Sequence, residues 1–146
     1  MAAKLLIIGR AGRLRDGLST ILRTFPGVTE VTAVDDFESA LDQFEFGYPS
    51  AVIVDGDERL ENECLLLKRM LFTYTKTRCI VIANTLQQRN TARKMGANAV
   101  LPRGFSTSDL YRTLLSLALI PNSGYIGQTP GMIQSQTTAV LNLQRP

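Results

Sequence analysis

Five short apolar runs, each followed by apolar residues at helical spacing, set the order of this chain. Residues 4–8 (KLLII) form a dense apolar run of the kind a strand covered on both faces needs, and Gly9 ends it. Leu14, Leu18, Ile21, Leu22 and Phe25 then recur at helical spacing until Pro26 and Gly27 break the pattern. Residues 28–34 (VTEVTAV) are β-branched and partly alternating, which suits an edge strand. Phe37, Ala40, Leu41 and Phe44 make the next stripe, closed by Gly47 and Pro49. Residues 51–55 (AVIVD) read as a buried strand ending in an acid, followed by the loop 56–62 and a helix over 63–72. A strand over 79–83, a short helix over 86–95 closed by Gly96, and a brief strand over 98–101 come next. Ser106 or Ser108 then caps a last helix whose face is Leu110, Leu114, Leu115, Leu117 and Leu119.

Each right-handed crossover between parallel strands needs a helix to return the chain, so the alternation predicts an α/β fold. The expected form is a doubly wound five-stranded parallel sheet, strand order 2-1-3-4-5, with helices on both faces. At 146 residues the chain holds one such domain, expected over residues 1–120. Residues 121–146 turn to Gly, Gln, Ser, Thr, Asn and Pro with a single charge at Arg145, a linker or tail in which 139–143 (AVLNL) forms a short strand or turn.

Composition removes several functions. Histidine is absent, which excludes His-based general-base catalysis and the commonest zinc ligand. Cys64 and Cys79 have no metal-ligand spacing and read as reduced packing residues. No apolar run approaches the roughly 20 residues that cross a bilayer, so a cytoplasmic protein without membrane contact is expected. The net charge of +3 is mild, and Arg13, Arg15 and Arg23 are spread along a helix, as solvated surface rather than a nucleic-acid footprint.

Doubly wound sheets bind ligands beyond the carboxyl ends of their strands, at the point where the winding reverses. Gly9 and Arg10, Asp55, Ala83 with Asn84, and Pro102 with Arg103 fall at those ends and are expected to face one another. Residues 12–19 (GRLRDGLS) approach a P-loop, but Leu18 stands where the phosphate-binding lysine belongs, and Gly9 with Gly12 miss the dinucleotide spacing. A Ser/Thr-rich flavin-phosphate loop is also missing. What remains is positive charge at Arg10 and Arg13 beside a helix start, where an anion would be favoured.

Residues 14–18 (LRDGL), 22–26 (LRTFP), 51–55 (AVIVD) and 96–103 (GANAVLPR), in that order and spacing, resemble the receiver domains of bacterial two-component response regulators. The closest type is the one that precedes a LuxR/NarL-like helix-turn-helix. The resemblance implies a CheY-like three-layer fold in which Asp55 matches the aspartate that accepts a phosphoryl group from a histidine kinase. By the same match, the acidic pair that holds Mg²⁺ falls on Gly9 and Arg10, and the hydroxyl residue that reports phosphorylation falls on Ala83. The family's lysine falls on Arg103, its switch aromatic on Val100, and its Met-Pro pair on Glu58 and Arg59.

Phosphoryl transfer to a carboxylate gathers groups that are all negative, so its catalysis is mostly charge neutralisation and positioning. Mg²⁺ takes oxygen ligands in near-octahedral geometry, which Gly9 and Arg10 do not supply and Asp57 replaces poorly. Asp55 with Arg10 and Arg103 is net positive before any metal arrives, so no metal or cofactor is expected, and Arg10 or Arg103 is expected to pin Asp55 as an ion pair. The reading is an atypical or pseudo-receiver, not an enzyme, acting in signal transduction or transcription regulation through a protein partner or a second copy. Arg89, Arg93, Lys94, Tyr111 and Arg112 are its candidate contact face. Two alternatives stay open: a phospho-accepting regulator with an unidentified kinase, and the receiver part of a LuxR-type transcription factor. In the second, DNA contact would come from outside this segment, which has no recognition helix.

Overall fold

The strand-and-helix alternation folds as one sheet between two helical layers. The computed structural model describes residues 2–122. Along the chain come β1 (Ala3–Ile8), α1 (Arg13–Thr24), β2 (Val28–Val34), α2 (Phe37–Phe44), β3 (Ala51–Asp55), α3 (Leu60–Thr73), β4 (Arg78–Ala83), α4 (Leu86–Lys94), β5 (Ala99–Pro102) and α5 (Thr107–Ser116). All neighbouring strands pair in parallel, in the expected order β2-β1-β3-β4-β5. The segment at 139–143 lies outside the described residues.

Side chains of a strand alternate between faces, and the sheet sorts them accordingly. Leu5, Ile7, Ile53, Ile80 and Ile82 pack under α1 and α5 against Leu22, Leu110 and Leu114. Leu6, Val52, Val54, Cys79 and Val81 pack under α2, α3 and α4 against Phe37, Leu67 and Ala92. The three strands with neighbours on both sides are thus apolar on both faces, whereas β2, at the edge, buries only Val31. Cys79 belongs to this packing: burial pushes its thiol up to about 12, which leaves it un-ionised and unreactive. Among the described residues no helix is long and apolar enough to cross a membrane.

Three helices start on side-chain caps of the expected chemistry. Asp36 accepts from Ser39 N, Thr85 from Gln88 N, and Ser106 with Asp109 forms a reciprocal capping box that settles the start of α5 on Ser106. Other boundaries differ from expectation. The third helix begins at Leu60 rather than 63, because Asp57 Oδ1 takes the Arg59 N–H at 2.8 Å and turns the chain early, seating Leu60 in the core. Leu41 is exposed, since the short α2 turns only Phe37, Ala40 and Phe44 inward. The last helix stops at Ser116, so Leu117 and Leu119 lie beyond it. Ala118 takes the left-handed conformation (φ 59°), and the N–H groups of Ala118 and Leu119 donate to the carbonyls of Leu115 and Leu114. That is a Schellman ending, and it returns Leu119 to the core against Leu114.

Gly27 joins α1 to β2 with φ 91°, and a Cβ built there would meet Pro121 Cδ at 2.5 Å. Both the backbone and the space therefore require glycine. Gly27→Ala is expected to lower the unfolding free energy by about 2 kcal/mol or more, measured by chemical denaturation, because strain and overlap add.

Candidate functional site

The strand ends bring Gly9, Asp55, Ala83 and Arg103 to one corner of the sheet. Asp55 closes β3 with its side chain 15% exposed, and Arg103, in the loop between β5 and α5, donates from Nη2 to its Oδ1 at 2.7 Å. The same nitrogen lies 3.4 Å from the Gly56 carbonyl oxygen, so one guanidinium holds both side chain and backbone at the end of β3. Burial raises the pKa of Asp55 above its ordinary value, and the opposing pull of Arg103 only partly offsets it.

Gly9 is buried directly against this carboxylate. Its N–H donates to the Val34 carbonyl at 3.0 Å, and a Cβ at this position would sit 2.8 Å from Asp55 Cβ. The volume a side chain at position 9 would need is thus filled by Asp55 itself. Gly56 fits as tightly: its N–H donates to the Ile82 carbonyl at 2.7 Å, and an added Cβ would lie 2.5 Å from that oxygen.

Arg10 does not reach Asp55. Its Nη2 pairs with Glu58 at 2.5 Å and its Nε lies 3.7 Å from Asp57, because the loop after β1 leans over the loop after β3. Among the described residues, it is Arg103 that pairs with Asp55. Asp57 is held from a second side by Arg59, whose Nη2 stands 3.0 Å from its Oδ2. Burial pushes Asp57 up, yet the Arg59 side-chain and backbone hydrogen bonds, with Arg10 behind them, outweigh it and hold the carboxyl below its ordinary value.

Two further arginines join this lattice without a clear sign in the sequence. Arg15, expected as solvated surface, is only 19% exposed and bridges the Gly9 carbonyl, at 3.1 Å, and Asp35, at 2.6 Å. Arg59 donates to the Asp35 carbonyl at 3.1 Å, which ties the loop after β2 to the loop after β3. The one readable signal was local: an acid two residues before Arg59 invites the turn that Asp57 makes with its N–H.

These residues do not fit a divalent ion. Asp55 gives an oxygen to Arg103, Asp57 is enclosed by Arg59 and Arg10, and Gly9 brings no ligand. Among the described residues no group of three or more His, Cys, Asp or Glu side chains is placed to hold a metal. Ala83 is buried at the end of β4, and Val100 packs partly buried against the α2–α4 layer, so neither a hydroxyl nor a ring faces the corner from those positions. Beside the corner, a polar cleft of about 450 Å³ opens between the loop after β3 and α4, lined by Glu58, Glu61, Thr85, Gln88 and Arg103.

The expected contact face is divided. Arg89, Arg93 and Lys94 are exposed on α4. Arg112 is half-buried and lies 3.6 Å from Asp109. Tyr111 is not on the surface: it is buried, with its ring edge-on to Phe25 at 5.2 Å, because α5 turns that position toward α1.

No protein-family model matches the chain, and no curated protein sequence does. Solved structures match its fold. The receiver domain of the putative response regulator NarL from Mycobacterium tuberculosis is 18% identical, with a TM-score of 0.64 over 80% of this chain and 96% of that one. The chemotaxis protein CheY4 of Vibrio cholerae is 18% identical, with a TM-score of 0.66 over 80% and 99%. A putative response regulator from Chloroflexus aurantiacus is 25% identical, with a TM-score of 0.66 over 81% and 99%. With five parallel strands in the order 2-1-3-4-5 and five intervening helices, this chain has the CheY-like fold of response-regulator receiver domains.

Proposed function

We propose that the chain is an atypical receiver, a signalling module that acts through protein contacts without Mg²⁺ and without phosphorylation of Asp55. The observation that carries this reading is the 2.7 Å pair between Arg103 and Asp55. A carboxylate that attacks a phosphoryl group needs nearby positive charge that is free to organise the incoming phosphate and offset its charge. Here the cation is already spent on the carboxylate, Arg10 is spent on Glu58 and Asp57, and the ligands of a metal are replaced. A two-state response also needs contacts that differ between the states, and Ala83 and Val100 offer none of the polar or aromatic kind. The module is then a fixed surface. Its exposed basic residues on α4, Arg89, Arg93 and Lys94, favour a partner protein with an acidic face.

Incubation with Mg²⁺ and an acyl phosphate is expected to leave the intact mass unchanged, and calorimetry to show no magnesium uptake. A phosphoryl adduct that disappears in Asp55→Asn overturns the proposal and reinstates a phosphate-driven regulator.

The burial of Asp55 also sets a pH dependence. Burial lifts the folded Asp55 above its ordinary value of 3.8, so the folded chain holds that proton more tightly than the unfolded one. The contribution of this group to stability is full below 3.8 and declines as pH rises through the folded value. Arg103→Ala removes the opposing charge and lifts that value further. The variant is expected to lose about 1 kcal/mol relative to the parent at neutral pH and little in acid, measured by denaturation across pH.

A further inference from the structure

The outer face of α3 carries apolar side chains that the domain leaves exposed. Leu65 and Phe72, seven residues and two turns apart, are 58% and 85% exposed, and Leu66 beside them is 37% exposed. Charge on this stripe is ordered. Glu61 lies one turn before Leu65, while Lys68 and Arg69 lie one turn after it. Among the described residues neither Lys68 nor Arg69 forms an ion pair. Glu61 is oriented by Gln87, whose Nε2 donates to its Oε1 at 2.6 Å, and its other oxygen remains available.

We propose that this face pairs with α3 of a second copy of the chain, the two helices running antiparallel about a twofold axis at Leu65. Positions 61 and 69 are equally spaced on either side of that residue, so the axis sets Glu61 of each copy opposite Arg69 of the other. The two leucines meet on the axis, and each Phe72 reaches the residues just before the start of the opposite helix. A parallel pairing would set acid against acid and base against base. The antiparallel one satisfies both charges twice, aligns the helix dipoles favourably, and closes as an isologous dimer. A heterologous partner would not need acid and base placed symmetrically about one leucine. The surface is separate from the basic residues of α4, which stay available to another protein.

Sedimentation of the full chain over a range of concentrations tests the pairing. A reversible monomer–dimer equilibrium is expected, abolished by Leu65→Asp and weakened about tenfold by Glu61→Arg or by Arg69→Glu, each of which creates like-charge contacts. Combining the two charge reversals is expected to restore the parental dissociation constant to within about threefold. These positions are exposed, and circular dichroism verifies that each variant folds. A chain that stays monomeric at about 1 mM leaves the face to a different protein and overturns the proposal. So does a dimer indifferent to Leu65→Asp, or one that the double reversal fails to recover.

Discussion

Asp55 ends the central strand β3 half-shielded from water, where a carboxylate without a counter-charge is costly. The guanidinium of Arg103 supplies that charge and, by also approaching the Gly56 carbonyl, joins the loop after β5 to the end of β3. The corner extends outward by the same device. Arg59 connects the loops after β3 and β2, Arg15 connects α1 to the loop after β2, and Arg10 closes the loop after β1 onto Glu58. Exposed pairs of this kind contribute little singly, about 0–1 kcal/mol each. Linked through shared acids and backbone carbonyls, they favour one arrangement of the strand-end loops over others.

The consequence for function lies in what the corner does not leave free. In this fold the strand ends form the ligand-facing edge, and here that edge is occupied by the protein's own charges. Among the described residues, two exposed helical faces stand apart from this edge: a basic face on α4 and a mixed apolar and charged face on α3.

The fold was readable because its strands obey a simple constraint. β1, β3 and β4 are covered on both faces and so appear as unbroken apolar runs, while β2 is half-exposed and appears as an alternation. The start of the last helix was readable to within two residues, at Ser106 or Ser108, since capping is local in sequence. The pairing within the corner was not. Arg10 pairs with Glu58 and Asp57 rather than with Asp55, and that choice depends on how two loops lean together, which spacing does not encode. Arg15 looked like solvent-facing charge because its partners, Asp35 and the Gly9 carbonyl, come from other loops. Tyr111 looked like a surface aromatic because its placement depends on Phe25 arriving from α1, a contact across 86 positions of sequence that no helical period reveals.

Position 9 constrains its neighbours as well as its own shape. With Asp55 packed into the space over Gly9, placing an acid at that position is not an isolated change of residue: β3 or the loop after β1 must first withdraw. A single substitution there meets a steric wall before its new side chain can contact anything else, so residue 9 and the backbone around Asp55 can change only together.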